Sequence, residues 1–402
     1  MKIVHICLEA PYIDGWNYQE NMLPRHHAEL GHEVIVIGSR NKLPYYLKNK
    51  IDYTNCDTPY MVGSVKIIRI NCSFSILQKL NYYPALPSLL EEIAPDLVYH
   101  HGGQSLSLLA SKSYVDKHDK SKLFIDFHSE YYNTANSWFS RVILHKTIWR
   151  SIIQYCLPSV SQVYCISSSV KELCEELYGI NPRQIEYLYL GMDVVSTNEA
   201  ERENIRQLVR TQLGMAPSDF LIVTGGKINP VRKIELLTEA LRGLNRERVH
   251  LVVFGTPDPG FESYAAQLGA GVPRVHFVGW CNTEAINRYF LASDLAAFLG
   301  GQSVLWQQSI AAGLPGLFRK RAGHEHLNQG NCLYIYTDMV EEVEQWLRIL
   351  TDPANGQILD GMRERAISLA TGEMSYRLEA ERVVAKYLEL NAARSTDECA
   401  NS

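Results

Sequence analysis

Strand and helix patterns alternate along almost the whole chain, and this alternation constrains the fold more than any other feature. An apolar run at residues 2–8 precedes a helical pattern at 19–30 and a second apolar run at 33–38, after a break at Gly31. This order describes a β-α-β unit, whose strands lie parallel because the helix carries the chain back across the sheet. Further strand patterns follow at 65–70, 96–100, 122–127, 162–166 and 185–190. The first half therefore predicts a parallel sheet.

The same alternation begins again in the second half. Residues 193–210 are polar and poor in strand formers, and six strand patterns follow at 220–224, 249–254, 275–278, 294–299, 316–318 and 333–336. A chain of 402 residues is too long for one ordinary hydrophobic core. We predict an α/β protein with two Rossmann-like domains at 1–195 and 196–374, a helix at 375–390 and a disordered tail at 391–402.

Composition argues against several classes of protein. The hydrophobic fraction of 46% and the charged fraction of 21% are typical of soluble globular proteins. A formal net charge of -5 argues against a nucleic-acid-binding protein, which would carry a basic excess. The nine cysteines show neither a C-x-x-C pair nor a spacing suited to zinc, and they indicate reduced thiols. No apolar run has membrane-spanning length, so we expect a cytoplasmic protein.

A glycine pair followed by cations ends the first strand of the second domain. Gly226 and Lys227 close this strand, and Arg232 opens the next helical pattern. Cations beside strand-end amides can balance the charge of a diphosphate. The alternative is a solvated basic helix start, although a helix N-terminus disfavours cations. The pattern favours a diphosphate site with Lys227 and Arg232 as its cations.

A second segment of small residues, 300–304, joins a strand pattern to a helical pattern at 305–312. The amides at such a helix start can bind an anion. Ser303 also suits an N-cap, and capping alone is the alternative. Because Lys227 and Arg232 come from a neighbouring strand end in this topology, we predict phosphate binding by the segment, including Gly301, Gln302, Ser303 and Val304.

Together these motifs resemble the GT-B glycosyltransferases, and within them glycosyltransferase family 4, over nearly the whole chain. Residues 11–15, followed by L-G-H-E-V at 30–34, are similar to the family's N-terminal glycine loop and the start of its second strand. The segments 166–170, 178–179 and 190–193 resemble the last helix of the family's N-domain and the N-G-V-D turn before the linker. The helix at 375–390 resembles the one that returns to the N-domain.

In the second domain, residues 226–233 stand where the family has G-R-L followed by a K-G pair. Residues 277–280 resemble the loop that touches the nucleotide base, and 308–315 resemble the segment beneath the ribose. The family's E-x7-E pair falls on Gly300 and Gln308, so the glutamate that faces the donor sugar is missing and the second is a glutamine. Gln308 can still hydrogen-bond ribose hydroxyls.

The resemblance implies two domains facing a central cleft and transfer of a sugar, with retention, from a nucleoside diphosphate sugar to a hydroxyl acceptor. It implies no metal and no cofactor. His128 follows a strand where the family places a sugar-contacting histidine; a structural role is the alternative for this residue. The implied catalytic residues are His128, Lys227 and Arg232. The implied donor-binding residues are Gly15, Gly226, Trp280, Gly301, Gln302, Ser303, Val304 and Gln308, and the implied acceptor or sugar pocket includes His101, Glu130 and His324.

The resemblance also implies a glycan or lipid-linked acceptor, and a lipid-linked acceptor requires contact with a membrane. Residues 139–157 mix Arg141, Lys146 and Arg150 with apolar side chains, a pattern typical of an interfacial helix on the inner face of the membrane. A core helix of the first domain is the alternative, because apolar residues lie around most of its circumference.

Two other functions remain open at this point. One is a GT-B protein that binds nucleotide without transferring a sugar, although the retained Lys227 and Arg232 argue against it. The other is a nucleotide-sugar epimerase of the same fold, which would release nucleotide without an acceptor.

Overall fold

A computed structural model describes residues 1–400 except 42–45, 47–50, 77–78, 132–133, 136, 196, 245, 273 and 302, with only the backbone described for 394–400. The chain divides into two compact units, one formed by Met1–Leu190 together with the segment from Tyr376 onward, and one formed by Gly191–Ser375. Each unit contains a mainly parallel sheet with helices between its strands. The prediction of an α/β protein with two Rossmann-like domains is therefore confirmed.

The first unit contains an eight-stranded sheet. Its strands, with two more in a separate hairpin, are β1 (Lys2–Cys7), β2 (Glu33–Ser39), β3 (Tyr60–Val62), β4 (Val65–Ile70), β5 (Phe74–Ile76), β6 (Leu80–Tyr82), β7 (Leu97–His101), β8 (Lys122–Phe127), β9 (Gln162–Cys165) and β10 (Ile185–Tyr187). The sheet order is β10-β9-β8-β7-β1-β2-β4-β3, and among the described strands of this sheet only β3 runs antiparallel to its neighbour. Because the strand order reverses between β1 and β7, ligands of such a fold bind where these two strands end.

Helices cover both faces of this sheet, as burial of both faces of a parallel sheet requires. The α-helices are Gln19–Glu29, Leu86–Ile93, Leu108–Lys117, Arg150–Cys156, Ser168–Leu173 and Tyr376–Ala400, and π-helical segments span Ser140–Trp149 and Cys174–Tyr178. On one face, Ile3, Tyr99 and Phe124 pack against Ala380 and Val383 of the final helix. The final helix is thus part of the first unit's core.

The final helix is longer than the sequence pattern predicts. Its backbone stays helical to Ala400, in place of the disordered tail predicted from residue 391. Residues 391–400 contain neither glycine nor proline, so the helix meets no strong helix breaker in this segment.

One buried carboxyl group on this helix has an unusual environment. Glu379 is 1% exposed, and its Oε1 accepts a hydrogen bond from Arg382 at 3.0 Å. Within the described part of the chain, its Oε2 has no hydrogen-bond partner. Burial raises the pKa of Glu379 to about 8, and Arg382 only partly offsets this shift. Glu379 is therefore largely protonated at neutral pH.

We expect Glu379→Gln to stabilise the protein at pH 8 and to flatten its pH dependence. The folded-state pKa lies above the unfolded value, so the folded state binds more protons and wild-type stability falls as pH rises from about 4.5 to about 8. The neutral amide should raise the free energy of unfolding at pH 8 by about 1–3 kcal/mol. Thermal unfolding at pH 5, 6.5 and 8 measures this, with the more exposed Glu381→Gln as control. Parallel pH profiles for wild type and Glu379→Gln would contradict the prediction.

The second unit contains six parallel strands. They are β11 (Phe220–Gly225), β12 (Val249–Phe254), β13 (Val275–Gly279), β14 (Leu295–Phe298), β15 (Gly316–Arg319) and β16 (Cys332–Ile335). The α-helices are Glu199–Gln212, Ile234–Leu244, Glu262–Gln267, Thr283–Ala292, Leu305–Ala311, Val340–Leu350 and Gly356–Thr371. The sheet order, β13-β12-β11-β14-β15-β16, is the 3-2-1-4-5-6 order of dinucleotide-binding folds. The order reverses between β11 and β14, and the predicted glycine segments follow these two strands.

Candidate functional site

The loops that follow β11 and β14 are hydrogen-bonded to each other. The amide of Gly301 donates to the carbonyl of Val231 at 3.0 Å, and Nη1 of Arg232 donates to the carbonyl of Gly301 at 2.9 Å. Lys227 is exposed just after β11. The structure thus brings Arg232 and the glycine segment together at the point where the strand order reverses, with Lys227 on the same loop as Arg232.

Gly300 has no space for a side chain. A Cβ atom there would lie 2.1 Å from the carbonyl oxygen of Val231 and 2.5 Å from Cα of Arg232. A contact of this length with backbone atoms forces the backbone to move. The loop after β11 therefore occupies the space that a side chain at position 300 would need.

A similar close approach joins the loops after β11 and β12. A Cβ atom on Gly255 would lie 1.8 Å from the carbonyl oxygen of Gly226, and the amide of Gly226 donates to the carbonyl of Phe254 at 3.0 Å. Gly226 has φ 106°, which favours glycine. Lys233 has a left-handed φ of 56°, and glycosyltransferase family 4, which the chain resembles, has a glycine at the corresponding position. Three neighbouring strand ends are consequently packed together backbone against backbone.

The helix Leu305–Ala311 follows β14. Val304, the residue before it, has helical backbone angles and makes no side-chain cap, while Oγ of Ser303 accepts a long hydrogen bond from the amide of Leu305 at 3.4 Å. Ser303 thus makes a weak capping contact with the first turn, and phosphate binding by this residue stays a prediction. Gln302 lies outside the described residues. Gln308 is partly exposed on this otherwise largely buried helix.

Two cavities flank the strand ends of the second unit. One, of about 480 Å³, has a mainly apolar lining that includes Ile228, Phe277 and Gly279. The other, of about 660 Å³, lies beside Gly300 and has a basic lining of Lys233, Arg319, Lys320 and Arg321 together with Asp338. Trp280, which the resemblance assigns to the base-contacting loop, is 74% exposed directly after β13.

A third cavity, of about 570 Å³, lies at the other end of the sheet. Its lining includes Phe220 and Val249, which begin β11 and β12. Ligands of open parallel sheets bind at the carboxyl ends of the strands. We therefore place the candidate site at the loops after β11 and β14.

In the first unit, His128 lies between two carboxylates. Its Nε2 is 3.0 Å from Oδ2 of Asp126, and its Nδ1 is 3.3 Å from Oε1 of Glu20. The same Asp126 oxygen is 2.9 Å from Nδ1 of His101. The parallel register of β7 and β8 pairs His101 with Asp126, so neighbouring strands bring these residues together although 25 positions separate them in the sequence.

Two further histidines extend this cluster into the core. Nε2 of His101 is 3.0 Å from Nδ1 of His5, and Nε2 of His5 is 3.0 Å from Nδ1 of His27. All three side chains are fully buried. Burial lowers the pKa of His5, and it lowers the pKa of His27 to about 3, so both imidazoles are neutral at physiological pH. The sequence signal that could have predicted these hydrogen-bonded histidines is His5, a histidine within an otherwise apolar strand.

Charges within the cluster shift its acid–base equilibria. Burial alone would lower the pKa of His128, but Asp126 and Glu20 outweigh burial and hold it well above its usual value. Burial would likewise raise the pKa of Asp126, yet His128 and His101 hold it well below its usual value. Asp126 is therefore ionised. Among the described residues, His101, Asp126 and His128 also present ligand atoms within 4.8 Å of one another, as a metal site requires.

The residues predicted for the sugar pocket are mostly buried and contact other side chains. His101 is fully buried and His324 is 2% exposed, and their place in a sugar pocket stays a prediction. His324 packs its ring against Trp306. Glu130 accepts a hydrogen bond from Oγ of Ser169 at 2.9 Å. Gly15 lies exposed in the loop after β1 with φ 77°.

The segment predicted as an interfacial or core helix has both a buried and an exposed side. Leu144, Trp149 and Ile153 belong to the core of the first unit. Trp138 and Phe139 are 73% and 55% exposed. The cations Arg141, Lys146 and Arg150 are exposed as well. In the described part of the chain, no helix combines the length and apolar character that crossing a membrane requires.

Comparison with known proteins supports the resemblance. The model of glycosyltransferase family 4 matches residues 22–195. HepE from Anabaena, solved in complex with UDP, has a TM-score of 0.68 at 15% identity, with 97% of this chain and 100% of that chain covered.

Two further solved structures are similar to the chain. Sucrose-phosphate synthase from Thermosynechococcus elongatus has a TM-score of 0.67 at 15% identity, covering 98% of this chain and 99% of that one. The catalytic domain of starch synthase IV from Arabidopsis thaliana, bound to ADP and acarbose, has a TM-score of 0.66 at 14% identity, covering 97% and 99%. At these identities the similarity establishes the fold. No curated protein sequence matches the chain.

Proposed function

We propose that this chain transfers a sugar from a nucleoside diphosphate sugar to a hydroxyl acceptor. The reasons are its GT-B fold and the match of residues 22–195 to glycosyltransferase family 4. The observation that carries the proposal is the junction of the loops after β11 and β14. There Nη1 of Arg232 donates a hydrogen bond to the carbonyl oxygen of Gly301 at 2.9 Å, at the carboxyl ends of the strands, where sheets of this order bind their ligands.

The donor is proposed to lie across these strand ends. Lys227 and Arg232 bind the diphosphate together with the amides of Ser303 and Val304, and Gln308 binds the ribose hydroxyls. The apolar cavity lined by Ile228, Phe277 and Gly279 suits the flat face of a base. Gly226 and Gly301 let the backbone approach the phosphates closely.

The proposed reaction breaks the bond between the anomeric carbon and the diphosphate oxygen and forms a bond to the acceptor oxygen. Negative charge then grows on the leaving diphosphate, and Lys227 and Arg232 stabilise this charge. The diphosphate takes the proton that the acceptor hydroxyl loses, so proposed catalysis requires no additional base. We propose retention of configuration, as in the resembling family. His128 is the proposed catalytic histidine of the first unit, since its side chain is partly exposed, at 20%.

Release of nucleoside diphosphate tests this function directly. UDP-, GDP- and ADP-sugars are incubated with the protein, with and without a mixture of glycan acceptors, and the released nucleotide is measured. Release that depends on both one donor and an acceptor supports transfer. Equal release without an acceptor would point to an epimerase or a hydrolase. Nucleotide-induced thermal stabilisation without any release would instead identify a non-catalytic binding protein.

A peripheral membrane contact is proposed for the exposed side of the segment around Ser140–Trp149. Trp138 and Phe139 are suited to the headgroup region, and three nearby cations suit an anionic leaflet. The acceptor is then lipid-linked and reaches the enzyme at the inner face of the membrane.

We expect the triple variant Arg141→Gln, Lys146→Gln and Arg150→Gln to bind vesicles containing phosphatidylglycerol about 100-fold more weakly than wild type. Each cation near an anionic surface contributes about 1 kcal/mol. Co-sedimentation at low and high salt measures the effect. The matched control replaces the exposed Arg25, Lys117 and Arg183 of the same unit with glutamine. Equal vesicle binding by both triple variants would assign the segment to the core alone.

A further inference from the structure

We infer that the basic cavity beside Gly300 binds a carboxylate carried by the donor sugar, as in a uronic acid. The inference rests on the proposed function and names the class of sugar that this function uses. The cavity lies beside the carboxyl ends of β14 and β15. A cavity lined mainly by one sign of charge attracts ligands of the opposite sign. The described lining carries four cations and one carboxylate, namely Lys233, Arg319, Lys320, Arg321 and Asp338.

The carboxylate of the lining does not balance these cations. Oδ2 of Asp338 is 3.0 Å from Nζ of Lys233, and its Oδ1 accepts a hydrogen bond from Nη2 of Arg319. The hydrogen bond from Lys233, together with the charge of Arg319, lowers the pKa of Asp338, so this carboxylate is ionised and shared by two cations. Gly300 adds no charge to the lining. A surplus of positive charge therefore remains in the cavity.

The other two cations lie on the loop after β15. Nζ of Lys320 is 3.4 Å from Oε1 of Glu325 and 4.7 Å from the ring centre of Tyr334. Nε of Arg321 is buried and, among the described residues, has no hydrogen-bond partner. Buried polar atoms are normally satisfied, and a guanidinium group can bind a carboxylate through two parallel hydrogen bonds. Arg321 is therefore the cation of this cavity that an acidic ligand would engage.

The cavity adjoins the proposed diphosphate site. Val231 and Gly300 line the cavity, and the carbonyl of Val231 also accepts the hydrogen bond from the amide of Gly301. A volume of about 660 Å³ is much larger than a bare anion needs and lies in the range of sites for small organic ligands. In a nucleoside diphosphate sugar, the organic group that follows the diphosphate is the sugar. The sugar is therefore the part of the donor that would carry the carboxylate.

The inference is tested by the binding of matched donor pairs to the full-length protein. Calorimetry compares UDP-glucuronate with UDP-glucose and GDP-mannuronate with GDP-mannose, with UDP and GDP alone as references. We expect the wild type to bind the acidic donor of one pair at least about 10-fold more tightly than its neutral partner, because hydrogen bonds between charged groups are among the stronger ones in proteins. The ratio within a pair is the readout, since both members share the same nucleotide.

Three variants assign the preference to the cavity. Arg321→Gln should reduce the ratio to less than about 2, whereas Arg321→Lys keeps the charge and should retain a ratio of at least about 3, because lysine binds a carboxylate as a point charge only. Arg242→Gln removes an exposed cation of the same unit, paired with Glu239, and should keep the full ratio.

The outcomes separate this inference from the proposed function. Equal binding of acidic and neutral donors by the wild type would overturn the inference and leave the proposed function intact. A ratio that survives in Arg321→Gln would also overturn it, because the carboxylate would then lie elsewhere. A wild type that binds none of the donors and neither nucleotide would count against the proposed function and against the inference with it.

Discussion

The double variant Lys227→Ala and Arg232→Ala should lose the thermal stabilisation that its nucleoside diphosphate gives the wild type. A diphosphate that leaves water needs cations to balance its charge, and a hydrogen bond to a charged group contributes about 1.5–3 kcal/mol. Loss of both cations should weaken nucleotide binding by at least about 100-fold. Acceptor-dependent nucleotide release should fall by a factor of about 100–1,000, because the same cations stabilise the leaving group.

A matched variant separates this effect from a general loss of positive charge. Arg242 and Arg348 are exposed cations of the second unit, paired with Glu239 and Glu344 on the surface. Arg242→Ala with Arg348→Ala removes the same charge but should keep the wild-type response to nucleotide, since exposed ion pairs contribute little. Undiminished nucleotide binding by Lys227→Ala and Arg232→Ala would place the diphosphate elsewhere.

The second large effect is expected at Gly300. Gly300→Glu introduces the glutamate that glycosyltransferase family 4 has at the corresponding position. We expect this variant to lower the free energy of unfolding by about 1–3 kcal/mol and to abolish nucleotide binding. The first added carbon would lie 2.1 Å from the carbonyl oxygen of Val231, so the loop that carries Arg232 must move. Gly300→Ala should show most of the same loss, because the clash begins at Cβ.

A glycine in open space provides the control for this prediction. Gly361 lies within the helix Gly356–Thr371, and a Cβ there meets no atom within 4 Å. Gly361→Ala should stabilise the protein by about 1 kcal/mol through helix propensity alone. Thermal unfolding with and without nucleotide compares the variants. A Gly300→Glu protein with wild-type stability and higher transfer activity would show that the loop yields and that the missing glutamate limits catalysis.

Several features of this protein follow from local sequence patterns. The alternation of apolar runs and helical segments predicted every strand of the second sheet, because parallel strands buried on both faces are continuous apolar runs. The same pattern missed β3, β5 and β6, which have three residues each and lie outside the β-α-β repeat. Lys227 and Arg232 were found because charge beside a strand-end glycine is a local signal.

Other features depend on distances that no local pattern contains. The sequence alone determined two α/β units with parallel sheets and the cations at one strand end. Only the tertiary structure decided that Gly300 is required by the backbone of Val231, and that His5 and His101 join Asp126 and His128 in one buried cluster. Strand register and loop packing bring together residues far apart in the chain, and burial then sets their hydrogen bonding and charge.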